Sequence, residues 1–86
     1  MWQNMDTETA KRILENLYNK DYIGAKHTSP TNALKGLPKH LRGNGEKILK
    51  QLQTLGYITP HPTSYGTQIS LNKNKLKEIK QIIGLT

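Results

Sequence analysis

Basic and amide side chains cluster between residues 39 and 54, and they are the side chains of this chain best suited to bind a polyanion. Lys47 and Lys50 can reach phosphates or guanine edges, and the guanidinium group of Arg42 can make a planar two-point contact. Asn44 or Gln51 can pair with adenine. The residue types therefore predict a nucleic-acid contact surface, which comprises Lys39, His40, Arg42, Asn44, Lys47, Lys50, Gln51 and Thr54.

The same residues are also compatible with an ordinary solvated helix face capped by an asparagine. Lys39 and His40 stand just before the predicted helix, where they are expected to contact the nucleic-acid backbone and position the protein without reading sequence. His40 is equally compatible with a plain surface turn. Both interpretations remain open from the residues alone.

A second polar group lies in a predicted hairpin turn, where Thr63, Ser64 and Tyr65 offer hydroxyl groups to phosphate. No Arg or Lys stands beside them, which argues against a turn that reads the minor groove. The ring of Tyr65 can equally fold back onto the hairpin. Ser64 and Tyr65 complete the predicted contact residues.

Catalytic and metal chemistry are not indicated. The three histidines, at positions 27, 40 and 61, are dispersed, and none has a second ligand at metal spacing on its own element. The serines lie in no nucleophile elbow, the acids form no acid/base pair, and Gly43-Asn44-Gly45 lacks the context of a phosphate-binding loop. We expect no enzyme activity, no metal and no cofactor.

The charge balance favours a polyanionic partner, because 13 Lys and Arg against 6 acids give a net charge of +7 in 86 residues. Residues 1–19 carry three acids and two bases, whereas residues 20–62 carry seven bases and two acids. The basic excess therefore begins after the first predicted helix.

Length and composition predict one domain over residues 1–86, with residues 1–5 as a flexible tail. A hydrophobic content of 34% supports one small core but no deep substrate pocket. The absence of cysteine is compatible with a reducing compartment, and neither a secretory signal nor an apolar run of membrane length is apparent. We expect a cytoplasmic protein with no membrane contact.

Helical periodicity and capping residues place two early helices. The first is capped by Asp6 or Thr7, carries apolar residues at three- and four-residue steps, and ends near residue 19. A turn over 21–24 leads into a short extended piece ending at residue 27 or 28. Ser29 and Pro30 start the second helix, which we expect Gly36 to end in the left-handed conformation.

The third predicted helix begins either after Asn44 as cap or at Pro38, because glycines at 43 and 45 weaken a helix, and it ends at Gly56. Two strands follow, over 57–61 and 67–71, with a loop over 62–66 between them. Ile69 and Leu71 are expected to face inward, and Gln68 and Ser70 outward. A final helix, capped by Asn72, carries the apolar residues Leu76, Ile79, Ile82 and Ile83.

This order of elements, with the junction Leu52-Gln53-Thr54-Leu55-Gly56-Tyr57-Ile58, resembles the winged-helix (winged helix-turn-helix) family over residues 7–83. The resemblance implies an α+β fold with a three-helix core, a two-stranded β-hairpin wing and a C-terminal helix. The segments Lys-His-Thr-Ser-Pro-Thr at 26–31 and Pro-Thr-Ser-Tyr-Gly at 62–66 resemble those of small archaeal-type members.

The resemblance implies a third helix in the major groove, a second helix across the backbone, and a wing at a neighbouring phosphate or in the minor groove. We therefore expect double-stranded DNA binding by a transcription regulator or a mobile-element protein. The alternatives are a protein-interaction module in a larger assembly, and RNA binding through the same basic face with Tyr65 or Tyr57 stacking on a base. The protein could act as a monomer or as a homodimer through its last helix.

Overall fold

The computed structural model describes residues 6–85, so the tail predicted at residues 1–5 lies outside the described part. The fold is α+β: three helices, an antiparallel hairpin packed on them, and a C-terminal helix, consistent with winged-helix topology as predicted. The elements are α1 (Thr7–Asn19), α2 (Pro30–Lys35), a 3-10 helix (Lys39–Asn44), α3 (Gly45–Thr54), β1 (Ile58–Thr63), β2 (Gly66–Leu71), a 3-10 turn (Lys73–Lys75) and α4 (Leu76–Ile82).

Helix α1 begins and ends where its sequence predicts. The Asp6 carboxylate caps it by accepting hydrogen bonds from the amide of Thr9, at 3.1 Å, and from the hydroxyl of the same residue. Asp21 has a φ of 62°, and this left-handed residue turns the chain away after the helix. The buried side of α1 carries Ala10, Ile13, Leu14 and Leu17.

Gly36 ends α2 for a different reason from the predicted one. Its φ is −80° and its ψ is −3°, so the prediction of a left-handed conformation is wrong. A Cβ atom at this position would lie 2.8 Å from Nδ2 of Asn16, which donates a hydrogen bond to the carbonyl of Ala33 at 3.1 Å. A side chain at this position would displace the Asn16 amide group from its bond, so the close approach of α1 favours glycine here.

Helix α3 combines both predicted starting points, since the 3-10 helix follows Pro38 and the α-helix begins at Gly45. The Asn44 side chain forms no cap for α3, contrary to that prediction, and its Nδ2 lies 3.4 Å from Oδ2 of Asp6. Gly45 is buried, and a Cβ there would lie 3.0 Å from Leu34 Cδ2 and 3.1 Å from Leu37 Cδ1. Close packing against α2 therefore explains a glycine that helix propensity disfavours.

The other end of α3 matches the prediction. Gly56 follows the helix with a φ of 87°, a left-handed conformation that favours glycine, and the chain then enters β1.

The hairpin turn is tighter than predicted. Ile58 pairs with Leu71 and Thr63 with Gly66, so the turn contains only residues 64 and 65, and the prediction of a loop over 62–66 is wrong. The Thr63 hydroxyl donates to the carbonyl of Gly66 and accepts from the amide of Tyr65 at 3.3 Å. Gly66 follows the turn with a φ of 123°, a backbone conformation that favours glycine. The bonds of this threonine side chain explain why the turn is shorter than the predicted loop.

Strand β1 is the free edge of the sheet within the described residues, because it pairs with β2 alone. It contains Pro60 and Pro62, which have no amide hydrogen to donate. Two prolines are tolerated in one strand because their nitrogen atoms can face away from the partner strand at an edge.

The predicted extended piece before α2 contacts the opposite edge of β2. It forms two isolated bridges: Ile23 pairs with Leu71 in parallel, and Thr28 pairs with Ile69 in antiparallel orientation. The amides and carbonyls of Thr28 and Ile69 exchange hydrogen bonds of 2.8 and 2.7 Å. The chain from residue 22 to residue 28 thus supplies hydrogen bonds to the edge of β2 that a third strand would otherwise supply.

Asn72 begins the C-terminal element as predicted, with its side chain accepting from the amide of Asn74 at 3.0 Å. The first turn is a 3-10 turn and α4 follows it. Ile79 and Ile83 are buried in the core of the same chain, and Ile82 packs partly against that core. No helix within residues 6–85 is long and apolar enough to cross a membrane.

The contrast between two neighbouring glycines gives a stability test. A Cβ at Gly43 would meet no atom within 4 Å, so Gly43→Ala should raise the free energy of unfolding by about 0.4 to 1 kcal/mol. Gly45→Ala should lower it by about 1 kcal/mol, because two leucine side chains must move. Urea denaturation of both variants measures the difference, and equal stabilisation by the two would contradict the proposed packing role of Gly45.

The cap of α1 gives a pH-dependent test. The hydrogen bond from the Thr9 hydroxyl, followed by that from the Thr9 amide, holds the pKa of Asp6 below its ordinary value of 3.8. The charged carboxylate is thus favoured in the folded protein, so its stabilisation is present above the ordinary pKa and is lost as pH falls through the lowered folded value. The uncharged Asp6→Asn variant keeps a cap acceptor and should lack this loss.

Thermal denaturation between about pH 6 and pH 2.5 should therefore show the stability of wild type and Asp6→Asn converging as pH falls. Asp6→Ala, which removes the cap itself, should cost about 1 kcal/mol at pH values near 6. Glu8→Gln is the matched control, since Glu8 is an exposed acid in the first turn of the same helix. A similar convergence for Glu8→Gln would show that Asp6 has no special part.

Candidate nucleic-acid interface

One side of α3 faces solvent because the other side is fixed in the core. Ile48, Leu49 and Leu52 are buried and hold the helix against α1 and β1. The exposed side carries Lys47 and Lys50, neither of which takes part in an ion pair within residues 6–85. Glu46 and Thr54 share this exposed side. The geometry therefore offers two unpaired ammonium groups one helical turn apart on a rigid helix.

The surface next to α3 is also basic. Lys35, at the end of α2, and Lys39 and His40, in the 3-10 helix, are exposed. From residue 30 to residue 54 the chain carries five basic residues, all exposed, against one acid, Glu46. Charges of mainly one sign on adjoining elements raise the local concentration of anions.

The guanidinium group of Arg42 already donates two hydrogen bonds within the protein. Its Nε donates to the carbonyl of Leu37 at 3.1 Å, and its Nη2 donates to the carbonyl of Lys35 at 3.2 Å. The Nε–Nη2 edge of the guanidinium is therefore occupied, while the Nη1 end remains for a phosphate. A two-point contact through that edge would require the bonds to the carbonyls of Leu37 and Lys35 to break.

The structure does not bring the two predicted adenine-pairing residues into the exposed face of α3. Asn44 is only half exposed and its amide group lies against Asp6. Gln51 is half-buried, and its Oε1 is buried with no hydrogen-bond partner among the described residues. The amide of Gly45, the first residue of α3, donates to the carbonyl of Arg42, so the 3-10 helix satisfies one of the amides at the start of α3.

The two tyrosines considered for stacking differ sharply. Tyr65 is 75% exposed, so its ring does not fold back onto the hairpin. Tyr57 is 6% exposed, and its hydroxyl donates to Oε2 of Glu78 at 3.3 Å, so its ring belongs to the core. Ser64, beside Tyr65 in the turn, is exposed as expected.

The sequence did not predict a polar cluster at the hairpin that is centred on the buried residue Ser70. The rings of His27 and His61 stack with centroids 4.9 Å apart, although the two histidines are distant in sequence. Ser70, predicted to face outward, is fully buried, and its hydroxyl donates to the carbonyl of Gly24 at 2.8 Å. Because that hydroxyl proton is used, Nε2 of His61 donates to Oγ of Ser70 at 2.8 Å.

The reason for this difference is that the chain over residues 22–28 covers the second face of β2. An alternating strand is half exposed only if one of its faces meets water. Ile69, Ser70 and Leu71 are all buried, so both faces are covered in the second half of β2. The carbonyl that meets Ser70 belongs to Gly24, 46 positions earlier in the sequence. Residues 6–85 contain no group of three or more His, Cys, Asp or Glu that could hold a metal ion.

Comparisons of the chain with protein-family models, with curated proteins and with solved structures found no match in any of the three. What the basic surface binds must therefore be inferred from its charge and geometry.

The buried cluster can be tested through Ser70→Ala. The variant leaves the carbonyl of Gly24 and Nε2 of His61 without their partner, so the free energy of unfolding should fall by about 1 to 3 kcal/mol. Ser64→Ala makes the same chemical change at an exposed position and should stay within about 0.5 kcal/mol of wild type. Equal urea midpoints for the two variants would contradict a structural role for Ser70.

Proposed function

We propose that the protein binds double-stranded DNA with the exposed side of α3 in the major groove. The observation that carries the proposal is the pair Lys47 and Lys50, exposed and without ion pairs among the described residues, at the centre of a surface of mainly one sign. A helix of this kind fits the major groove, which is about 12 Å wide.

The contacts that remain available favour binding to phosphates over detailed reading of bases. The predicted base-reading residues Arg42, Asn44 and Gln51 are engaged elsewhere or half-buried. Glu46 can accept from the amino group of cytosine and is repelled by phosphates, so it restricts how the helix approaches the groove. We therefore propose a modest sequence preference on top of strong electrostatic binding.

The element order supports membership of the winged-helix family, and with it a role as a transcription regulator or mobile-element protein in the cytoplasm. The buried state of Ile79 and Ile83 supports a monomer over a homodimer through α4, because these side chains already cover the core of their own chain.

The proposal predicts that Lys47→Ala/Lys50→Ala weakens binding to a random duplex by at least about tenfold at low salt. About four to six phosphate contacts should give the wild type a slope of log affinity against log salt of roughly −4 to −5, and the double variant a slope shallower by about 2. Fluorescence anisotropy with labelled duplex, measured over a salt series, gives both quantities.

The matched control is Lys11→Ala/Lys77→Ala, which removes the same charge from exposed lysines of α1 and α4. It should change affinity by less than about threefold. Equal losses of affinity in the two double variants would show that net charge, and not the position of Lys47 and Lys50, determines binding. Absence of duplex binding by the wild type at low salt would sink the proposal and favour a protein-interaction module, and preference for structured RNA in competition would favour RNA binding.

A further inference from the structure

The tip of the hairpin presents one aromatic ring to solvent. Tyr65 is 75% exposed, whereas Tyr57 is buried and Tyr18 and Tyr22 pack partly against the core. Tyr22 also has the ammonium group of Lys26 5.5 Å from its ring centroid. Tyr65 is thus the tyrosine in the described chain that the fold leaves uncovered, with most of a large side chain open to a ligand.

The backbone that carries Tyr65 is conformationally restricted. Thr63 closes the two-residue turn by bonding to Gly66 and to the amide of Tyr65, and the prolines at 60 and 62 restrict the strand that leads to it. A side chain presented in this way loses little conformational entropy on binding, so a flat contact with its ring contributes to affinity.

The chemistry of the tip selects the kind of contact. No Lys, Arg, Asp or Glu occurs from Ile58 to Leu71, whereas the basic residues lie on α2, the 3-10 helix and α3. The tip therefore has no cation with which to hold a phosphate. An uncharged aromatic ring instead matches the flat face of a base, and stacking of this kind tolerates any sequence. Bases inside a duplex are already stacked on their neighbours, so an unpaired base is the available partner.

We propose that Tyr65 stacks on an unpaired base beside the duplex held by α3, so that the protein prefers DNA junctions between duplex and single strand to continuous duplex. This inference rests on the proposed duplex binding. The described residues extend 35 Å along their longest axis, close to one turn of DNA at about 34 Å, so a short duplex with an overhang is long enough to test both contacts.

The test compares a blunt duplex with the same duplex carrying a short single-stranded overhang, with 2-aminopurine as the first unpaired base. Wild type should bind the overhang substrate roughly 5- to 100-fold more tightly, and the 2-aminopurine fluorescence should fall as the base stacks. Tyr65→Phe should keep both effects because it keeps the ring. Tyr65→Ala should lose both, so that its affinity for the overhang duplex falls to its affinity for the blunt duplex.

Thr67→Ala, at an exposed position of β2 next to the same turn, is the matched control and should behave as wild type. Equal affinity of wild type for blunt and overhang duplexes would overturn the inference, as would equal weakening of both by Tyr65→Ala. Blunt binding that depends on Lys47 and Lys50, with no gain from the overhang, would leave the proposed function intact and refute the stacking. Quenching with single strands but no duplex binding would refute the proposed function and the junction preference together.

Discussion

Strand β2 must satisfy its backbone polar groups on two edges, because its inward residues Ile69 and Leu71 are fully buried and water cannot reach the backbone between them. Strand β1 meets this need on one edge. On the other edge, the amide of Gly24 donates to Leu71, and the amide of Leu71 donates to the carbonyl of Tyr22. The chain before α2 is held in place by this requirement, and the start of α2 is fixed with it.

The position of the basic surface follows from the same arrangement. Helices α1 and α3 pack on each other and the hairpin packs on α3, so the uncovered side of α3 has only one direction in which to point. Side chains near the junction of the elements serve the scaffold: Arg42 holds the end of α2, and Asn44 reaches the cap of α1. Those further along the helix, Lys47 and Lys50, remain for a ligand.

Features with a local cause were predictable from sequence. The cap at Asp6, the end of α3 at Gly56 and the exposure of Lys47 and Lys50 depend on residues within a few positions of one another. Features with a distant cause were not predictable. Gly36 is shaped by a side chain of α1, and Ser70 is covered by a loop far back in the chain. For a candidate site, the periodicity of a helix thus indicates which residues leave the core, but not which of them another element will engage.

The edge strand with its two prolines has a consequence for the protein at high concentration. An exposed strand with free amides can recruit a strand from another molecule and begin aggregation. A basic protein collects along a polyanion, where its local concentration rises far above the bulk value. Because Pro60 and Pro62 remove two amide donors from β1, crowded molecules lose the template for extending the sheet from one copy to the next.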